Sequence, residues 1–222
     1  MAKEYSEDLL IQKSTAELLE KELGWQSVYA YDSEVLGEQG TLGRKAQSEV
    51  VLTRHLRMAL KRLNTWMTDK QMTEAIERMT SYMSSQTLMQ INEEKYRYLR
   101  DGVPVTRLKP NGETEQVRAK VMDFANVDNN EFIVVRELWI KGPIHKRRAD
   151  VVCFVNGLPL VFIELKNHDQ DIQNAYTDNY RDYLDTIPHL FHHNAMIMLS
   201  NGMESRVGTV GAKWEFFHEW KR

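Results

Sequence analysis

Two carboxylates and one amine define the chemistry this sequence can support. In Leu160-Val-Phe-Ile-Glu164-Leu-Lys166, strand alternation puts Glu164 and Lys166 on one face, two residues apart, where an apolar run meets solvent. Asp150 opens a second apolar run, Arg148-Ala-Asp150-Val-Val-Cys-Phe154. Between the runs stands Asn156-Gly157, the strongest hairpin signal in the chain, so pairing them brings Asp150 beside Glu164. Directly opposed carboxylates, with Cβ atoms about 5 Å apart, can share one hard divalent cation such as Mg²⁺. Such an ion lowers the pKa of a bound water and neutralises charge on a phosphodiester, while a neighbouring lysine orients the nucleophile or stabilises the pentavalent transition state. The chemistry of such a site would be phosphodiester hydrolysis. An acid followed at a distance by Glu-x-Lys also arises by chance, and charges at strand ends are often merely solvated, so spacing alone does not decide.

The hairpin constrains this reading. A plain two-residue turn at Asn156-Gly157 with unbroken pairing sets Val155 against Leu158 and Asp150 against Ile163, which points the two carboxylates to opposite faces. A shared ion therefore requires an odd offset. Three arrangements supply it: a loop of Val155 to Gly157, a loop of Asn156 to Leu158, or a bulge further along one strand. Pro159, which lacks an N–H for the ladder, favours irregularity near this end.

The elements that must hold these residues read as follows. Ser14-Thr-Ala-Glu17 has the pattern of a capping box opening a helix through Leu18, Leu19 and Leu23, stopped by Gly24. Ser48 to Leu63 carries a helical period, and Thr68-Asp-Lys-Gln71 caps a further helix through Met72, Ile76, Met79 and Met83. After Gly102 the pattern turns to strands at Val117 to Phe124 and Phe132 to Ile140, separated by Asn126-Val-Asp-Asn-Asn130. The hairpin strands follow, then a helix from Asp169 as N-cap to Ile187 before Pro188, then a short strand from Ala195 to Leu199. This order predicts one α/β domain, a mixed sheet flanked by helices with a helical insertion at about 44–100.

Composition bounds the function more loosely. A formal charge of -3 excludes binding of nucleic acid through an overall basic field, so DNA contact must come from local patches. The single Cys153 lies in an apolar run with no second thiol and no zinc-ligand spacing, which fits a reducing cytoplasm. The first residues are charged and no stretch has the length of a membrane span, so a soluble protein is expected.

The segment Arg148-Ala-Asp150-Val-Val-Cys-Phe-Val-Asn-Gly-Leu-Pro-Leu-Val-Phe-Ile-Glu164-Leu-Lys166-Asn resembles the signature of type I restriction enzyme R subunits, R-P-D-x-V-x-F-V-N-G-L-P-L-V-x-x-E-L-K-N, a branch of the PD-(D/E)xK nucleases. Tyr98-Leu-Arg-Asp-Gly-Val-Pro-Val105, Asn129-Asn-Glu-Phe132, Ile187-Pro-His-Leu-Phe191, Ser200-Asn-Gly202 and Phe216-Phe-His-Glu-Trp220-Lys extend the likeness over roughly Tyr96 to Arg222. It implies a restriction-endonuclease-like fold and Mg²⁺-dependent cleavage of double-stranded DNA. Asp150, Glu164 and the backbone carbonyl of Leu165 would be metal ligands and Lys166 the catalytic lysine. The usual Pro before the first Asp is Ala149, which removes a φ constraint but no chemical group. The family's Q-x-x-x-Y motif corresponds to Asn179-Tyr-Arg-Asp-Tyr183, the amide kept on a side chain one methylene shorter, and would support the site and DNA contact. The resemblance also implies modification (methyltransferase) and specificity subunits as partners. ATP would be used only by motor domains following this chain, since no G-x-x-x-x-G-K-[ST] occurs here.

Other candidates rank lower. His145-Lys146-Arg147-Arg148 is a basic run placed for phosphate contact, or a solvated loop. His189, His192 and His193 read as a surface loop more readily than as a metal cluster. The methionines read as core filling and Glu49 as an exposed helix carboxylate. Two rival functions stand beside the nuclease: an assembly or DNA-binding module with an idle centre, and a stand-alone nuclease of the same fold.

Overall fold

A computed structural model describes residues 7–221. The chain is α/β, as the order of periods predicts. It contains helix α1 (Glu7–Leu23), strand β1 (Gln26–Tyr29), helices α2 (Thr53–Leu63), α3 (Asp69–Thr80) and α4 (Leu88–Asp101), and strands β2 (Val103–Leu108), β3 (Thr114–Ala119), β4 (Phe132–Lys141), β5 (Lys146–Val155) and β6 (Leu158–Leu165). A π-helical stretch, Ala175–Tyr180, runs directly into α5 (Arg181–Thr186), and β7 (Met196–Ser200), β8 (Ser205–Gly208) and β9 (His218–Glu219) follow. Seven strands form one mixed sheet in the order β1-β4-β5-β6-β7-β8-β9, parallel at β1–β4 and β6–β7 and antiparallel elsewhere. Strands β2 and β3 pair as a separate antiparallel ribbon.

Both faces of the sheet are covered. On one face Ala16, Leu19 and Trp25 pack against Val134, Val151, Cys153, Ile163 and Leu165. On the other, Ala175, Tyr180, Tyr183, Ile187, Leu190 and Phe191 close over Val135, Val152, Phe154 and Phe162. The central strands are therefore apolar on both sides, which is why β5 and β6 read as near-continuous hydrophobic runs. A third cluster joins α2, α3, α4 and the small ribbon to the hairpin end of β5 and β6 through Leu56, Leu60, Met79, Val105, Val155 and Leu158.

The hairpin combines two of the features weighed above. Asn156 (φ 51) and Gly157 (φ 80) form a two-residue turn with both residues left-handed, and Val155 pairs with Leu158. The register then slips. Phe154 faces Pro159 but Cys153 faces Val161, so one extra residue is accommodated on β6 beside Pro159. Beyond the bulge Val151 faces Ile163, the last pair of the ladder, and Asp150 next to it accepts the Leu165 N–H, which brings it beside Glu164. The offset that a shared ion requires is supplied by a bulge along one strand, with the short turn kept.

Several boundaries differ from the sequence reading. Helix α1 starts well before Ser14, so the Ser14 to Glu17 box lies inside a helix whose N–H groups already have partners. Residues Ser48 to Leu52 precede α2 rather than belonging to it. The Thr68/Gln71 capping box is present, and a second one, Thr87/Gln90, opens α4. The first strand expected after Gly102 runs from Thr114 to Ala119 and not from Val117 to Phe124, because Asp123 accepts hydrogen bonds from the backbone of Ala125 and Asn126 and turns the chain. Asp169 is not an N-cap. The chain turns first through Gln170 N–H to Asn167 C=O, and the Asp171 carboxylate accepts from Gln173 N–H where the helix begins. Cys153 is buried, its thiol pushed up to about 12 by desolvation, which fits an inert core residue.

Candidate active site

The site forms where β4 and β5 lose regularity together, beside the C-terminal end of β6. On β4, Val135 and Leu138 belong to the same core cluster although three residues apart, and on β5 so do Val152 and Ala149. Strict alternation would separate each pair, so both strands change phase between these positions. The residues at the phase change are Glu137, with a left-handed φ of 57, and Asp150. They fall opposite each other between the pairs Arg136–Val151 and Leu138–Ala149. A non-glycine residue in this conformation inside a strand is strained, and such strain collects at functional sites.

Asp150 is held from two sides. Its Oδ2 accepts the Leu165 N–H at 2.8 Å, and its Oδ1 accepts from Gln12 Nε2 at 3.1 Å. Glu164 is only 1% exposed, and its Oε2 is buried without a hydrogen-bond partner. Lys166 donates from Nζ to Asn179 Oδ1 at 2.6 Å. Tyr183 donates its hydroxyl to the Arg148 carbonyl at 2.8 Å and packs edge-on against Phe162. The helix residues thus brace the two strands. The π-helical stretch ends between Asn179 and Tyr183, a wider winding of a kind frequent at functional sites.

Electrostatics mark the same place. Burial pushes Asp150 up to about 7, aided by the nearby Glu137 and opposed by the Leu165 N–H and Lys166. Glu164 is raised well above the ordinary carboxylate range, first by burial and then by Asp150. Two carboxyl groups that resist ionising together form a site that lacks positive charge. A divalent cation fits this need, and the unpartnered Glu164 Oε2 is an oxygen for it to bind. Among the described residues no three Asp, Glu, His or Cys side chains converge to hold an ion. The side-chain donors would be Asp150 and Glu164 alone, with the Leu165 carbonyl completing the protein's share and water the rest.

A stability consequence follows, and its sign is fixed. A carboxyl whose folded pKa lies above its unfolded value favours the fold at low pH and loses that contribution as pH rises through the folded value. For Asp150 this loss begins near the ordinary carboxylate value and is complete just above pH 7. Without divalent ions, the protein is expected to lose about 2 kcal/mol between pH 5 and 7.5 from this group. Urea unfolding at several pH values checks this. The decline should be shallower in Asp150→Asn, the remainder coming from Glu164, and an identical decline in that variant would refute the cause.

The basic run is largely neutralised within the chain. Arg147 forms a two-point ion pair with Asp182, and Arg148 pairs with Glu137 at 2.5 Å while lying over the rings of Tyr31 and Trp139. Lys146 lies over Trp139, 4.2 Å from its centroid. The three histidines are not a surface loop. His192 and His193 are buried, their pKa values pushed by desolvation down to about 4 and about 3, and His193 Nε2 bonds the Met79 carbonyl. Glu49 precedes α2 and accepts the Lys45 N–H. Sequence reasoning missed Glu137 and Gln12. A lone acid inside Phe132 to Ile140 was the only signal for Glu137, and none marked Gln12, whose partner lies 138 positions away.

Comparison with known proteins decides the family. The family described as "Type I restriction enzyme R protein N terminus" matches residues 4–216. The chain belongs to that family. It is 32% identical over 215 residues to the endonuclease subunit of the type I restriction enzyme HindI of Haemophilus influenzae, covering 95% of this chain and 20% of that protein. It is 27% identical over 189 residues to the endonuclease subunit of the type I restriction enzyme SauMSSORF170P of Staphylococcus aureus, covering 83% of this chain and 19% of that protein. The chain thus spans about a fifth of the length of these relatives. Among the described residues no helix is long and apolar enough to cross a membrane.

Proposed function

We propose that this chain is the nuclease part of a type I restriction enzyme R subunit and hydrolyses phosphodiester bonds of double-stranded DNA with Mg²⁺ held by Asp150, Glu164 and the Leu165 carbonyl. The observation that carries the reading is the Asp150 carboxylate bonded to the Leu165 N–H, between Glu164 and Lys166, in a chain of this family. Bound there, Mg²⁺ would lower the pKa of a water and offset phosphate charge. Binding requires both carboxyls to release their protons, so the raised pKa values make ion capture more favourable as pH rises toward 8. Lys166 is oriented by Asn179 and directs its amine to the nucleophile or to the charge that builds on the phosphoryl oxygens. Tyr183 fixes the backbone just before Asp150.

The reading assigns the remaining tasks elsewhere. Motor domains beyond this chain would use ATP to draw DNA in, and modification and specificity subunits would choose the site, all in the cytoplasm. Because Arg147 and Arg148 are paired internally and the net charge is -3, the isolated chain is expected to bind DNA weakly. Its log Kd should rise with log salt at a slope of only about 1–3, equivalent to few neutralised phosphates. Fluorescence anisotropy on a labelled duplex measures it, and a steep slope would place the main DNA grip in this chain. The function itself is tested by plasmid cleavage with the full R subunit and its modification and specificity partners. Double-strand breaks should appear with Mg²⁺ and ATP and vanish with EDTA, and metal-independent cleavage would overturn the proposal.

A further inference from the structure

Gln12 is out of place in the face of α1 that meets the sheet. Ala16, one turn on, and Leu19 pack into the apolar cluster with Val151, Ile163 and Leu165. Gln12 is itself 3% exposed. Its Nε2 donates to Asp150 Oδ1, and its Oε1 is buried with no partner among the described residues. A buried acceptor left unbonded destabilises a fold, and a methionine or leucine would fill the space without that cost. Another unpartnered acceptor among the described residues is Glu164 Oε2, on the residue next to Leu165, whose N–H bonds Asp150. One amide thus joins Asp150 at one end and carries an unbonded oxygen at the other, in the part of the core that lacks positive charge.

We propose that Gln12 is a positioning residue of the metal site: its N–H holds Asp150 in its ligating orientation, and its Oε1 accepts a hydrogen bond from a water on the bound cation. The proposal rests on the nuclease reading for the ion and adds α1 as a third element of the site. Asp150 then has each oxygen fixed by a separate donor, Gln12 for Oδ1 and Leu165 N–H for Oδ2, which limits its rotation before an ion arrives. It also gives α1 a role in function, since a shift of this helix would move the amide off the carboxylate.

The test uses the intact chain and Mn²⁺ as the probe, followed by calorimetry, with thermal unfolding of each variant to confirm folding. Gln12→Met keeps the length and removes both polar ends. It should fold at least as stably as wild type without metal and bind Mn²⁺ about tenfold more weakly. Gln12→Glu loses the N–H that holds Asp150 but keeps an oxygen toward the ion, and should bind more tightly than Gln12→Met. In the full enzyme, Gln12→Met should need about tenfold more Mg²⁺ for half-maximal cleavage, with the maximal rate largely recovered at saturation. Mn²⁺ affinity of Gln12→Met within twofold of wild type, or Gln12→Glu as weak as Gln12→Met, would overturn the assignment. Wild type that binds no Mn²⁺ would overturn the metal site together with it.

Discussion

Replacing Lys166 by Ala or Glu164 by Gln in the full R subunit is expected to reduce DNA cleavage about a thousandfold or more while leaving ATP-driven translocation intact. The amine of Lys166 makes one hydrogen bond, to Asn179, just beyond the end of β6, so its loss removes reaction chemistry and little packing. Glu164→Gln retains shape in a buried position but removes the ionisable carboxyl whose unpartnered oxygen is offered to the ion. It also removes a carboxyl whose ionisation opposes the fold, so the metal-free variant should be at least as stable as wild type at pH 8. Cleavage at the wild-type rate by either variant, at equal folded concentration, would sink the proposed roles.

The second large effect is on stability and arises at the hairpin tip. Asn156 is fully buried and left-handed. Its Nδ2 donates to the Val121 carbonyl at 2.9 Å and to Asn130 Oδ1 at 2.8 Å, and its Oδ1 accepts from Glu131 N–H and from Arg62 at 2.9 and 3.0 Å. Asn156→Ala leaves several of these groups buried without partners and replaces a residue that tolerates the left-handed region with one that does not. A loss of about 3–5 kcal/mol is expected, visible as a Tm lower by about 10 °C. Gly157→Ala should behave similarly, because a Cβ there meets the Leu52 carbonyl oxygen at 2.4 Å. Asn156→Gly separates the causes, since it relieves the backbone but restores no hydrogen bond. A Tm for Asn156→Ala within 2 °C of wild type would show that the tip is not an anchor.

How far the site was legible follows from the range of the interactions. Asp150, Glu164 and Lys166 stand within one hairpin, so strand alternation and turn chemistry place them, and the need for an odd offset follows from counting alone. Where the bulge falls does not, because it depends on how Leu158 and Leu160 pack against the α2–α4 cluster. The Thr68 and Asn156-Gly157 signals are local and match the structure. Strand β1 was invisible: four residues, Gln26–Tyr29, pair in parallel with β4 more than a hundred positions away. Ser14 to Glu17 misled because a capping pattern does not show whether a helix has already begun. Gln12 and Glu137 reach the site only through tertiary placement, one from a helix on the sheet face and one through a left-handed break in β4.

The most direct test of the central claim is an anomalous-scattering map from crystals of this chain soaked in Mn²⁺ at pH 8. The account requires a peak within about 2.0–2.6 Å of an Asp150 carboxylate oxygen, Glu164 Oε2 and the Leu165 carbonyl oxygen, with water in the remaining positions. A peak absent there at millimolar Mn²⁺, or present instead among His189, His192 and His193, would contradict it.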